Sequence, residues 1–215
     1  LLAPNGAGKT TLIKMLTTLL FPTRGQILWD GEDIQALGAE YRGLLGYLPQ
    51  QFGYYPSYTP RQFLRYAAAL QCIPKREADG RIDHLLETVG LGDAADKKMK
   101  KFSGGMLQRA AAALLLALHP RYILADEPTS ALDAENRTLL LELLEKQRET
   151  AGILFISHDV AAPRTLCGTV HVMEHGMLTE QGTIQELLEH PKQAWTKEYA
   201  AANHPVSREG WTWTD

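Results

Sequence analysis

Cysteine is scarce: Cys72 and Cys167 are the only two in 215 residues, isolated and without a CxxC spacing. That excludes a disulfide framework and a cysteine-rich metal site, and it fits a reducing compartment. Long apolar runs are missing as well. The longest, Ala110 to Leu118, falls far short of the ~18 residues that suggest a membrane-spanning helix. Charge of one sign is absent too: 22 Lys and Arg stand against 25 Asp and Glu, a formal net charge of −3. So even a balance argues against binding driven by the charge of nucleic acid or anionic lipid. No internal repeat or low-complexity tract occurs. What is present is ordinary, with 45% hydrophobic residues, and it excludes a disordered chain. At this length one domain, with at most a small insert, buries about 70% of its unfolded surface and needs no covalent staple.

Along the chain, strand-like and helix-like stretches alternate, which implies a parallel or mixed sheet covered on its faces. A helix is expected from Lys9 to Leu20, strands at Gln26–Trp29 and Leu44–Leu48, and a turn at Asp30-Gly31. From about Tyr54 to Lys101 the character changes to helical segments, Pro60 to Gln71 and Arg76 to Thr88, read as an insert outside the sheet. An Ala/Leu-rich helix from Gly104 to His119-Pro120 is apolar on nearly every side and therefore buried. Tyr122–Ala125 and Ile153–Ile156 are buried strands, and Asp133 caps a helix running to Thr150. Thr169–Met173 and Met177–Glu180 flank His175-Gly176 as a hairpin. Thr183 with Glu186 forms a capping box for a helix to His190. The tail, with Trp195, Trp211 and Trp213, carries no readable motif. The chain opens on Leu1-Leu2-Ala3-Pro4 without an initiator Met, so the strand leading into the next motif is expected to start upstream.

That motif is Pro4-Asn5-Gly6-Ala7-Gly8-Lys9-Thr10-Thr11, a glycine-rich loop opening a helix. Its glycines let backbone N–H groups converge on phosphates, and the helix N-terminus adds a favourable dipole. Lys9 can reach β- and γ-phosphates, and the Thr10 hydroxyl can ligate Mg²⁺. The pattern GxxxxGK[ST] wants glycine where Ala3 stands, but Pro4 already biases that position toward extended backbone that alanine accepts. Taken alone, the stretch also suits a chance glycine-rich turn. A second motif, Ala125-Asp126-Glu127-Pro128, ends a buried strand with adjacent acids that point to opposite sides. Asp126 is placed to hold Mg²⁺ and Glu127 to orient or polarise an attacking water. Alone, the pair also suits ordinary surface acids at a strand end.

The order PNGAGKTT, Leu48-Pro49-Gln50, Phe102-Ser103-Gly104-Gly105-Met106, ILADEPTSALD and ISHD resembles the ATP-binding cassette of ABC transporters, over residues 1 to about 190. The resemblance implies an α/β P-loop NTPase (RecA-like) core with a mixed sheet plus a helical signature subdomain. The core lobe would take 1–52 and 107–182, the helical subdomain 53–106, and a C-terminal helix and tail 183–215. The loop Asn5, Gly6, Ala7, Gly8, Lys9, Thr10 and Thr11 would bind ATP. Thr10, Gln50 and Asp126 would hold Mg²⁺, and Glu127, His158 and Gln50 would carry hydrolysis. Ser103, Gly104 and Gly105 would touch the γ-phosphate held by a second copy, and free amides at a helix N-terminus give that role a physical basis. Ser130-Ala131-Leu132-Asp133 would link the two sites across the dimer. The signature usually reads LSGGQ, and Phe102 and Met106 replace its outer residues here. In the family an adenine-stacking aromatic precedes the loop, so the base contact stays unassigned.

The resemblance further implies ATP hydrolysis coupled to separate transmembrane permease subunits, on the cytoplasmic face of the membrane, with no nucleic acid partner. The stretch FGYYPSYTPRQFL looks most like the drug- and peptide-exporter branch. Two alternatives stand beside this: a soluble ABC-type ATPase acting on ribosomes or chromosomes, and a truncated, non-hydrolysing fragment. The short gap from Gln50 to Ser103 lacks the heptads of chromosome-acting members. Tyr54, Tyr55 and Tyr58 read equally as partner contacts or local packing. The run Lys97-Lys98-Met99-Lys100-Lys101 reads as a solvated approach to the signature, with a phosphate-steering role as the alternative. His84, His119, His171, His175, His190 and His204 have no metal-ligand spacing and read as structural or surface side chains.

Overall fold

Short apolar runs become strands and the stretches between them become helices, in the computed structural model that describes residues 1–70, 73–130, 132–158 and 161–203. The order begins α1 (Lys9–Leu16), β1 (Leu28–Trp29), β2 (Glu32–Asp33), α2 (Ile34–Leu37), α3 (Ala39–Gly43) and β3 (Leu45–Leu48). Next come α4 (Pro60–Leu70), α5 (Lys75–Thr88) and α6 (Gly104–Ala117), with single 3₁₀ turns at Gly92–Ala94 and Met99–Lys101. Then follow β4 (Tyr122–Asp126), α7 (Ala134–Gln147), β5 (Gly152–Ile156) and α8 (Ala161–Leu166). The chain continues through β6 (Val170–Glu174), β7 (Met177–Gly182), α9 (Ile184–Glu189) and α10 (Ala194–Asn203). Cys72, Ala131, Asp159, His204 and the tail with Trp211 and Trp213 lie outside the described residues.

Strands β3, β4 and β5 form a parallel sheet in that order, with Leu48 opposite Ala125 and Asp126 opposite Ile156. The segment Leu1–Ala3 extends it. Leu1 donates its N–H to the Phe155 carbonyl and accepts from Ser157 N (3.3 Å), which holds it along β5. Leu2 donates to His171 O (2.8 Å) and accepts from Met173 N (2.9 Å), which holds it along β6. These three residues therefore join the parallel sheet to the antiparallel β6–β7 hairpin. The hairpin turn is His175-Gly176, with φ of 50° and 79°, the left-handed pair that a two-residue turn requires. Asp30-Gly31 does the same between β1 and β2, with φ of 53° and 86°.

The main core lies between this sheet and the helices. Leu48, Ile123, Ala125 and Phe155 from the strands meet Leu140, Leu143 and Leu144 of α7 and Ala110–Ala113, Leu115 and Leu116 of α6. The alanines matter because their small side chains let α6 lie close to the sheet. Helices α4 and α5 join the same core through Phe63, Leu64, Ile82 and Leu86. Outside, Arg61 bonds Asp83 and Asp96 (3.0 Å to the latter) and Arg65 bonds Asp79 (2.6 Å). The insert is thus two short packed helices rather than a coiled coil. Rings of Phe52, Tyr54, Tyr55, Tyr58, Phe63 and Tyr66 stack edge and face beside it. Tyr54 and Tyr58 pack on the core, while Tyr55 remains 48% exposed. No helix among the described residues is long and apolar enough to cross a membrane.

Some expected boundaries shift, each for a local reason. The first helix stops at Leu16 instead of Leu20 because Thr18 turns left-handed (φ 58°) and the amides of Leu19 and Leu20 fold back onto Lys14 O. That satisfies a terminal carbonyl that would otherwise be orphaned. Helix α7 ends at Gln147 instead of Thr150, whose amide also turns back onto Gln147 O (3.0 Å). The strand expected from Gln26 shrinks to Leu28–Trp29. Helices α2, α3, α8 and α10 have no counterpart in the sequence pattern.

One position of the core is packed to its limit. A Cβ on Gly46 of β3 would sit 2.3 Å from Leu115 Cδ1 and 2.7 Å from Pro120 Cγ. Gly46→Val is expected to destabilise the protein by about 1–3 kcal/mol through overpacking, read as a lower urea midpoint with unchanged slope.

Candidate functional site

The loop from Ala3 to Lys9 leaves the end of the added strand segment and enters α1. Its curl is closed by Ala7 N donating to Pro4 O (3.3 Å), and its outer side is tied to the hairpin by Gly176 N donating to Ala7 O (3.0 Å). Gly6 and Gly8 adopt φ of 81° and 102°, conformations that exclude most side chains. Gly8 is the N-cap of α1, and no side chain caps that helix, so the first-turn amides face the mouth of the loop. Lys9 is only 7% exposed. Its ammonium donates to Ala3 O (2.9 Å) and Pro4 O (3.1 Å) and lies 3.9 Å from Glu127 Oε1. A buried cation ringed by carbonyls and amides is a ready counter-charge for a polyphosphate.

Strand β4 delivers the acids. Asp126 is buried, and burial followed by the adjacent Glu127 carboxylate pushes its carboxyl above the ordinary range, against Lys9 and Lys14. Glu127 leaves the strand in left-handed backbone, φ 46°. Its N–H donates to Ile156 O (3.0 Å), and its carbonyl accepts from Ser130 N (3.2 Å) and Ser130 Oγ (3.0 Å). This turn aims the carboxylate at the loop, where Oε2 meets His158 Nδ1 at 3.1 Å. His158 follows Ser157 at the end of β5. Glu127 is therefore held between a cation from the loop and an imidazole from the neighbouring strand.

The cleft above the loop measures about 820 Å³ and is lined by Ala3–Thr11, Gln50, Glu127 and His158, joined by Trp195, Tyr199 and Asn203 of α10. That volume suits a small-molecule ligand. Asn5, Gly6, Ala7, Gly8, Lys9, Thr10, Thr11, Gln50, Glu127 and His158 are thus brought together, while Asp126 lies buried behind Glu127. Ser103, Gly104, Gly105 and Asp133 do not line the cleft. Ser103 caps α6, accepting from Met106 N (3.3 Å). Asp133 caps α7, accepting from Asn136 N and Nδ2, and these hydrogen bonds hold its carboxyl below the usual range. A Cβ on Gly105 would sit 2.6 Å from Asn136 Nδ2, so glycine there lets the start of α6 fit against that cap.

Among the described residues no three His, Cys, Asp or Glu side chains form a metal-binding group. The available donors are a hydroxyl, a carboxamide and one carboxylate with excess negative charge beside it. An oxygen set this small suits Mg²⁺ completed by phosphate oxygens and water. The α10 residues at the cleft were missed in the sequence pattern. The usable signal was an aromatic pair at i and i+4, Trp195 and Tyr199, in a helix-favouring run just after Pro191.

Known proteins resemble this chain in sequence and in fold. The family model described as "ABC transporter" matches residues 1–130. YxlF, an ABC transporter ATP-binding protein of Bacillus subtilis (strain 168), is 40% identical over 187 residues, covering 87% of this chain and 62% of its own. The methionine import ATP-binding protein MetN of Corynebacterium jeikeium (strain K411) is 37% identical over 205 residues, covering 93% of this chain and 56% of its own. The chain spans about three-fifths of the length of the curated relatives it matches. A solved structure titled as the ATP binding subunit of an ABC transporter superposes with a TM-score of 0.77 at 29% identity, covering 87% of this chain and 79% of that one. The structure of cbiO1 from Clostridium perfringens, part of the ABC transporter complex cbiONQ, gives 0.74 at 29% identity, covering 88% and 78%. The fold is that of a P-loop NTPase, and the chain belongs to the ABC transporter family as an ATP-binding domain.

Proposed function

We propose that the chain binds ATP across the loop Asn5–Thr11 and hydrolyses it to drive transport by separate permease subunits. The observation that carries this reading is the Glu127 carboxylate, fixed between Lys9 and His158 at the mouth of the loop. The amides of the loop and the first turn of α1 would cradle the phosphates, with Lys9 leaving its carbonyl partners for the β- and γ-oxygens. Glu127 would take a proton from, or orient, the attacking water, and His158 would hold the γ-phosphate and steady Glu127. Thr10, Gln50 and Asp126 would hold Mg²⁺, which when bound supplies charge neutralisation on the phosphate oxygens.

The rest of the proposal needs a second copy. Ser103, Gly104 and Gly105 lie outside the cleft of their own chain, which suits a role against the nucleotide of a partner, with Asp133 on the linking segment. The chain would divide into a core lobe of 1–52 and 107–182, a helical subdomain of 53–106 and a C-terminal part of 183–215. Closing the dimer and reopening it after hydrolysis would move the permease at the cytoplasmic face of a membrane. The exporter-branch reading rests on the stretch FGYYPSYTPRQFL, whose aromatic cluster would meet the permease. The phosphate cleft handles a nucleotide rather than the cargo.

Glu127→Gln is expected to lower the rate of phosphate release by about 10²–10⁴-fold, the range for losing a general base, while ATP binding persists and ATP drives dimerisation on size exclusion. Equal turnover in the two proteins would remove Glu127 from the chemistry.

Asp126 gives a test with a second readout. Its folded pKa is raised, so stability falls as pH climbs through the unfolded and then the folded value, and a cost is present at neutral pH. Asp126→Asn is therefore expected to raise the metal-free melting temperature at pH 7, by roughly 2–4 °C for each 1 kcal/mol relieved, while Mg²⁺-dependent turnover is lost. A lower melting temperature would contradict the reading of Asp126 as a strained carboxylate awaiting a cation.

A further inference from the structure

Helix α10 reaches the candidate site from the far end of the chain, and its placement is specified at both ends. At its start, Glu180 of β7 is nearly buried and accepts Lys192 N at Oε1 (2.9 Å) and Gln193 N at Oε2 (3.2 Å). Burial pushes that carboxyl up, and the polar groups of Lys192, Thr196 and Gln193 around it together outweigh burial, so it lies below its ordinary range. The inward side of α10 is sealed by Thr196 and Ala200. Trp195 and Tyr199 stack on each other, with ring centroids 4.9 Å apart and planes at 25°. Both pack against Leu2, Val170, Val172 and Leu187. The Tyr199 hydroxyl then donates to the main-chain carbonyl of His158 (3.1 Å), 41 residues earlier.

The His158 side chain is 60% exposed, so packing does little to select its rotamer. Its ring meets Glu127 at 3.1 Å from backbone just past the end of β5, so the height and tilt of that backbone govern where the ring lies. Tyr199 supplies a hydrogen bond to that backbone from an element anchored on β7 through Glu180 and packed on Leu2 and β6. We infer that Tyr199 is a positioning residue for His158, and that α10, clamped by Glu180, sets the geometry of the His158–Glu127 pair. This rests on the hydrolytic role proposed for that pair.

The test is a double-mutant cycle in the intact protein, with steady-state kcat and KM for ATP and single-turnover rates for the slow variants. Tyr199→Phe removes only the hydroxyl and keeps the ring stack. It is expected to lower kcat about 3–10-fold, the span of one ordinary hydrogen bond, with KM for ATP unchanged. In a His158→Ala background the same change is expected to cost nothing further, since its target is gone. Glu180→Gln, which weakens the clamp, is expected to move kcat in the same direction and likewise to be silent in His158→Ala. A Tyr199→Phe protein with wild-type kcat, or one whose loss is undiminished in His158→Ala, would overturn the inference while leaving the hydrolytic reading intact. A His158→Ala protein with wild-type turnover would overturn both.

Discussion

Everything at the site depends on parallel strands that end at one level. Leu48 stands beside Ala125, Asp126 beside Ile156, and Leu1 beside Phe155 and Ser157. Segments separated by more than a hundred residues therefore release their loops at the same edge of one sheet. A one-residue slip between β4 and β5 would exchange the faces of Asp126 and Glu127. Ile123, Leu124, Ala125, Phe155 and Ile156 are buried on both faces of these strands, so such a slip would trade side chains of different size between two close-packed faces. The chemistry is thus a by-product of how the core fixes strand register.

Given that register, electrostatics at the edge is unbalanced by design of the sequence. One buried lysine faces two adjacent carboxylates, and one of these is already pushed toward its protonated form. Lys9 is neutralised locally by Glu127 and by loop carbonyls rather than by a close ion pair. That leaves the cation exchangeable, since its present partners are oxygens a phosphate chain can replace. The second carboxylate, Asp126, has only the charges of Lys9 and Lys14 to set against its burial and its neighbour.

Much of this was legible in the sequence. The loop and the strand-end acids are local patterns whose residue types suggest a chemistry, His158 enters only through the family resemblance, and the capping box at Thr183 and the cap at Asp133 form as the spacing implies. Helix ends were less legible, because the left-handed turn at Thr18 depends on carbonyls competing for amides rather than on side-chain identity. The role of Gly105 was partly visible. Its freedom suits an anion, but its contact with Asn136 is tertiary and leaves no local trace. Least legible was α10. Trp195 and Tyr199 matter through contacts with Leu2, Val172 and the His158 carbonyl, partners far away in sequence, and a lone aromatic pair in a polar tail carries no hint of them.

The backbone of Glu127 carries a cost that its carboxylate does not. A glutamate at φ 46° sits where glycine or asparagine is more comfortable, and such a residue costs of order 1 kcal/mol or more. The same turn that aims the side chain is one that a glycine would relax. With the hydrolytic role proposed for Glu127, selection for a stable fold and selection for turnover pull toward different amino acids at this single position. A population evolving without need of the activity would be expected to drift there first, growing more robust as it forgot its chemistry.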